Sequence, residues 1–233
     1  MIYPNQKHEL ESLRRSALFS ACSDEELIDI LRFTDRRHLQ ANQILVYQDE
    51  ACSAFFQVTH GYVKLYRTTG CGERVMGFAE SGDTFAEAAV FCGEGYPYSA
   101  VALEDTEVLA FQAFPLSRFI QQSPLFSSAF IACLSRHLRH QTIQQACAAA
   151  FNADQRLASF LLGGPEAASA EETDSARRLP GRRRDLANLL AMTPETLCRV
   201  MGRFRRSGWI EENAGYVTIT AREQLHSLLA QSC

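Results

Sequence analysis

The chain has 233 residues, a mass of 26.1 kDa, 46% hydrophobic and 21% charged residues, and a formal net charge of −4. That composition is ordinary for a globular protein and excludes wholesale disorder. No apolar run approaches the ~18 residues of a membrane span, and the excess of acids over bases excludes a histone-like polybasic binder.

Residues Met1 to Leu18 mix Asn, Gln, Glu and Arg and contain no apolar signal-peptide core, so a cytoplasmic protein without a membrane partner is expected. The eight cysteines (Cys22, Cys52, Cys71, Cys92, Cys133, Cys147, Cys198 and Cys233) form no CxxC pair. They read as reduced and mostly buried small apolar residues. Ser23-Asp24-Glu25-Glu26 ahead of Leu27, Ile28 and Leu31 is a capping box that opens a short helix.

Residues 43–112 change period. Gln43–Tyr47, Ala54–Thr59, Tyr62–Thr68, Arg74–Phe78 and Ala100–Phe111 are rich in β-branched and aromatic residues. Asp49-Glu50, His60-Gly61, Gly70-Cys71-Gly72 and Ser81-Gly82-Asp83 punctuate them as turns. Short strands at this spacing predict a sandwich or barrel-like roll. From Pro124 to Ala150 no glycine or internal proline interrupts a helical pattern, and Ile131, Leu134 and Leu138 recur on one face. A helix this long suggests a dimer seam, with packing on its own domain as the alternative. A further helix, Ala153–Leu162, stops at Gly163-Gly164, and 163–181 reads as a linker.

Charge is divided unevenly. Residues 177–233 hold ten arginines against five acids, so the rest of the chain carries the acidic excess. In this basic part, Arg184–Leu190 predicts a short helix, Ala191-Met192 a tight turn, and Thr193-Pro194-Glu195 the start of a second helix. Leu197, Val200, Met201 and Phe204 form its apolar face. Gly208-Trp209-Ile210 and a hairpin turning at Asn213-Ala214-Gly215 follow. Helix, turn, helix and wing make a winged helix-turn-helix, whose second helix enters the major groove of double-stranded DNA. There Arg199 can pair with guanine, Glu195 can accept from the cytosine amino group, and Cys198 suits a thymine methyl. Glu195 and Arg199 share a face and can orient each other. Arg182, Arg183 and Arg184 lie where backbone phosphates pass. A winged helix used for protein contact is the rival reading, and no enzyme motif is present.

With these parts in order, the sequence resembles the Crp/Fnr superfamily of transcription regulators over almost its full length. GYVKLYR (61–67), GDTFAEAAVF (82–91), YSA (98–100), FNADQRLASFLL (151–162) and TPETLCRVMGRF (193–204) carry the resemblance. It implies an α+β protein: a cyclic-nucleotide-binding-type β-roll (jelly roll) with an N-terminal helix over 1–123, a dimerisation helix over 124–150, and a winged helix-turn-helix over 151–233. It also implies a homodimer on TTGA-like palindromic half-sites, an activator working with RNA polymerase, and phosphate contacts from Thr193, Thr196, Arg203 and Arg206.

The effector pocket implied by the resemblance includes Phe85, Glu87, Tyr98, Ser99, Leu134 and His137. The cAMP-responsive branch has an FGE run and an Arg-Ser pair. Here Ala86 replaces the glycine and Tyr98 stands at the arginine position, so cAMP is not expected. Only Cys22 precedes Cys52, so no Fnr-type iron–sulfur cluster is expected. The FAEA run resembles the Dnr-like branch, which implies haem and nitric oxide sensing, with an axial ligand among His137, His140 and Cys133. A small organic effector or cysteine redox chemistry is the alternative. Asp49 stands where the family often has a turn glycine, and Asp tolerates left-handed backbone.

Overall fold

The structure, a computed structural model, describes residues 4–16, 18–20, 22–163, 176–180 and 182–230. The chain forms two compact units, Met1–His137 and Leu138–Cys233.

The first unit is the roll with its helices. In chain order it contains α1 (Pro4–Arg15), α2 (Asp24–Leu31), β1 (Thr34–Leu39), β2 (Ile44–Val46), β3 (Ala54–His60), β4 (Tyr62–Thr69), β5 (Gly72–Glu80), β6 (Thr84–Phe85), α3 (Ala89–Cys92), β7 (Ser99–Ala102), β8 (Thr106–Gln112) and α4 (Ala113–Gln122). The long helix α5 (Pro124–Ala150) begins here and continues into the second unit. Two four-stranded sheets, ordered β1-β8-β3-β6 and β2-β7-β4-β5, enclose a core that includes Phe56, Val58, Val63, Phe85, Tyr96 and Val108.

The two central strands of the first sheet, β8 and β3, are buried on both faces. Phe56 and Val58 point into the roll, whereas Phe55, Leu109 and Phe111 point outward into a second core with Leu13, Phe19, Phe126, Phe130 and Cys133. Strands buried on both sides lose polar alternation, which is why β3 reads AFFQV. Aromatic rings bind the outer layer: Phe55 stacks on Phe111 at 4.5 Å and Phe19 packs on Phe111 at 5.1 Å, within the range of favourable ring pairs.

The predicted capping box is present at α2: the Ser23 hydroxyl accepts from the Glu26 amide, and the Glu26 carboxylate accepts from the Ser23 amide. The single strand expected over Ala100–Phe111 is two strands, β7 and β8, separated by a turn at 103–105. Strand β1 carries no strand signal in the sequence, because TDRRHL is an edge strand with a polar pattern. The cysteines correct the expectation of general burial: Cys22 and Cys133 are buried, Cys52 is half-buried, and Cys71, Cys92 and Cys198 are exposed. Asp49 does adopt a left-handed backbone, with φ of 63°.

The second unit contains the rest of α5, α6 (Ala153–Leu162), β9 (Arg177–Arg178), α7 (Arg183–Leu189), α8 (Pro194–Arg206), β10 (Ile210–Asn213), β11 (Tyr216–Ile219) and α9 (Arg222–Ala230). Its core joins Leu157, Leu161, Leu186, Leu197, Val200, Phe204, Ile210, Val217 and Leu225. α6 opens on an Asn152 capping box with Gln155 and closes on left-handed Gly163, as its sequence predicts. The expected linker is only partly so. Residues 164–175 and 181 lie outside the described residues, but Arg177 and Arg178 pair with Val217 and Tyr216 as the third strand of the wing. No helix among the described residues is long and apolar enough to cross a membrane.

The turn after β3 places Gly61 at φ 95°, and a Cβ there would stand 2.7 Å from the Thr106 Cα and 2.8 Å from the Asp105 oxygen. Gly61→Ala should therefore destabilise the protein by more than ~1 kcal/mol. A lower urea midpoint at unchanged slope would report this loss, and an unshifted midpoint would contradict it.

Candidate functional site

Two places carry functional side chains, one in each unit. In the second unit, α7 and α8 meet across a sharp turn in which Ala191 takes φ 50°. The Met192 amide bonds the Ala187 carbonyl at 3.0 Å and closes that turn. Thr193 caps α8, its hydroxyl accepting from the Thr196 amide at 3.2 Å, and Pro194 occupies the first turn. Leu197, Val200, Met201 and Phe204 are buried, which fixes the rotation of the helix. Glu195, Cys198 and Arg199 are left exposed together on its outer face.

Glu195 is held on the helix start: its own backbone N–H, then the Thr193 hydroxyl, lower its pKa below the ordinary carboxylate value. Among the described residues no ion pair joins Glu195 to Arg199. The expected mutual orientation is therefore replaced by capping, and Arg199 is exposed beside it.

The basic residues divide. Arg184 is exposed at the start of α7, and Arg182 precedes it, also exposed. Arg183 instead pairs with Glu212 of β10, and Arg203 pairs with Asp154 of α6. Arg206 donates from Nε to the Gly202 carbonyl at 3.2 Å. Arg183 and Arg203, expected at phosphates, thus also tie α7 to the wing and α8 to α6. Sequence spacing carries no signal for such long-range pairs.

In the first unit, the expected pocket residues converge at the end of the roll next to α5. Phe85 is buried on β6 and stacks on Phe56 at 5.3 Å. Ala86 follows in a left-handed conformation, φ 67°, that suits glycine better. Its amide donates to the Tyr98 hydroxyl at 2.9 Å, and Tyr98 packs against the roll core. Burial, then the nearby Glu87 charge, pushes the Tyr98 phenol pKa up, so it stays protonated. Ser99 is buried and its hydroxyl accepts from the Gln48 amide at 2.9 Å. The groups that would greet a phosphate are thus turned to internal partners.

Glu87 is different. It is 4% exposed, and its Oε1 has no hydrogen-bond partner. It faces α5, where His137 Nδ1 lies 3.9 Å away. Cys133, one turn earlier on α5, is buried, and one ligand atom from each of Glu87, Cys133 and His137 lies within 4.8 Å of the others. Burial, followed by the Glu87 charge, raises the Cys133 thiol pKa, while Arg136 and Thr84 act in the opposite direction. Leu134 packs at the edge of the outer core. The side chain of His140 lies outside the described residues. Sequence reasoning grouped Cys133 and His137 with His140, but the structure supplies Glu87 as the third member. Only the fold brings a β6–α3 turn residue to that helix.

The donors can be weighed against haem. A haem iron takes at most one protein donor on each face of its ring, and Cys133 and His137 stand on one face of one helix. They cannot flank a single ring, so only one of them could serve, and His137 is the half-exposed one.

A cyclic-nucleotide-binding-type roll joined to a winged helix with an exposed reading face defines a DNA-binding transcription regulator. Residues 36–123 match the cyclic nucleotide-binding domain family, and residues 155–228 match the Crp-like helix-turn-helix domain family. The nitrogen fixation regulation protein FixK of Bradyrhizobium diazoefficiens is 26% identical over 221 residues, covering 94% of this chain and 92% of that protein. The solved structure of FixK2 from Bradyrhizobium japonicum shares the fold with a TM-score of 0.74, at 23% identity, over 84% of this chain and 96% of that one. DNR from Pseudomonas aeruginosa matches with a TM-score of 0.52 at 27% identity, over 98% of this chain and 100% of that one. The chain belongs to the Crp/Fnr family of transcription regulators, whose members are not enzymes. Crp-like regulators bind DNA and typically act as dimers.

Proposed function

We propose that the protein is a homodimer that reads palindromic TTGA-like half-sites through α8 and is controlled by an effector acting where Glu87 faces α5. The observation that carries the DNA reading is the joint exposure of Glu195, Cys198 and Arg199 on a capped helix whose opposite face is buried. Arg can give guanine two hydrogen bonds and Glu can accept from cytosine, so these residues suit a G·C pair within the half-site. Such a reading implies RNA polymerase as a further partner and a place of action in the cytoplasm.

Arg199→Ala should cost about 1–3 kcal/mol on the specific site and relax discrimination at one base pair. Arg184→Ala should weaken specific and random DNA alike and reduce the salt slope by about one. Equal losses on both DNAs for Arg199→Ala would remove its base-reading role. Salt-independent binding would favour protein contact by the wing instead.

The homodimer is supported by α5. Ile131 and Leu138 are 64% and 67% exposed, and they stand seven residues apart, the repeat of a coiled-coil seam. Two half-sites one turn apart, ~34 Å, suit such a two-fold arrangement. Exchange of both residues for glutamate should yield monomers by sedimentation, with loss of affinity for the palindrome. A persistent dimer would place the seam elsewhere.

Haem-mediated nitric oxide sensing is supported by the FAEA run and by His137 as an accessible imidazole. Haem, when bound, supplies an iron that takes nitric oxide. His137 would hold it and Tyr98 would keep the roll side closed to phosphate. Protein purified anaerobically with haem supplied should then show a Soret band that shifts with nitric oxide and is lost in His137→Ala. Failure to retain haem would exclude this effector. The donor set at the same place also suits a smaller occupant, argued next.

A further inference from the structure

We propose that Glu87, Cys133 and His137 form a binding site for one divalent transition-metal ion of the zinc, cobalt or ferrous class. The site rests on the reading above only for its regulatory meaning, since metal binding is measurable without DNA.

Three observations point the same way. The first is the donor set: a carboxylate, a thiol and an imidazole are the three side-chain types that bind zinc-class ions. Their ligand atoms lie within 4.8 Å of one another. Around one tetrahedral ion, such donors stand roughly 3.3–3.7 Å apart. Glu87 Oε1 and His137 Nδ1 are already at 3.9 Å, so small side-chain rotations close the set.

The second is placement. Cys133 and His137 sit one turn apart on α5, a spacing that puts two donors on one helix face. Glu87 comes from the turn between β6 and α3, so the ion would join the roll to the helix.

The third is the unpaired buried oxygen. Buried carboxylate oxygens without partners are rare in folded proteins and call for a cause. Glu87 Oε1 is such an atom, while the neighbouring polar groups Ala86 N–H, Tyr98 and Ser99 are all satisfied internally. A divalent cation answers it and balances charge: Cys133 releases its proton to solvent, and carboxylate plus thiolate neutralise the ion. His137, with 49% of its side chain exposed, leaves the fourth position open to water or a small ligand.

Haem cannot use this set, because it takes one donor from each ring face, whereas a bare ion accepts all three from one side. Arg136, within bonding reach of Cys133 beside Thr84, is the competing cation, and it must turn aside on binding.

The test is titration of the full-length, reduced protein with cobalt(II) and then zinc(II). The expected result is one cobalt per chain, a thiolate-to-cobalt charge-transfer band with intense four-coordinate visible bands, and displacement by zinc. Cys133→Ser should abolish the charge-transfer band. Glu87→Gln, which keeps shape and removes only the charge, should weaken binding by about tenfold or more with the fold intact by circular dichroism. A variant with serine at the exposed positions Cys71, Cys92 and Cys198 should keep the full spectrum. No band in the parent protein, a band that survives Cys133→Ser, or unchanged affinity in Glu87→Gln would each overturn the site. DNA affinity of the metal-free protein, measured separately, reports on the regulator reading alone.

Discussion

The burial of one face of α5 against the outer surface of the roll is the interaction on which the rest of the first unit depends. Phe126, Phe130 and Cys133 close over Phe55 and Phe111, whose strands already line the roll interior with their other side chains. The sheet β1-β8-β3-β6 therefore works as a wall between two cores. Loss of either core would leave a large apolar face in water, so the helix and the roll stabilise one another. Ring pairs such as Phe126 with Phe119 and Phe130 with Phe55 add specific geometry to the area buried. With that face committed, Ile131 on the same stretch of helix remains exposed.

The same docking brings a buried carboxylate to the helix. Glu87, in the turn between β6 and α3, faces α5, and burial followed by its charge raises the pKa of both Tyr98 and Cys133. Burial is the larger cause, because a low-dielectric site disfavours each anion. The turn that carries Glu87 is held by an alanine in left-handed backbone and by a tyrosine hydroxyl on that alanine's amide. The departures from the cAMP-responsive pattern thus form one arrangement: Tyr98 supplies the acceptor for the turn amide that the absent phosphate chemistry would leave open.

Much of this was legible in the sequence, and the limits have physical causes. Local rules found the Ser23 and Thr193 caps, the Gly163 stop, the long helix and the wing, because each depends on residues a few positions apart. β1 escaped because its residues are polar edge sequence, and β7 and β8 merged because no glycine or proline marks the turn at 103–105. The reading face of α8 followed from helical period alone. The pairs Arg183–Glu212 and Arg203–Asp154, and the meeting of Glu87 with Cys133 and His137, depend on tertiary contact and have no local signature. The resemblance named Glu87 and His137 as pocket residues, but only the fold shows that they face each other.

The way the chain is threaded through the wing bears on how the reading helix is held. Strand β9 precedes α7 and α8 in the chain, whereas its partner β11 follows them, so the wing sheet is built from residues on both sides of the helix pair. Pairing of Arg177 and Arg178 with Val217 and Tyr216 therefore closes the chain around α7 and α8. The wing cannot fray at β9 without releasing one end of the segment that carries the reading helix, which couples the two into one opening unit.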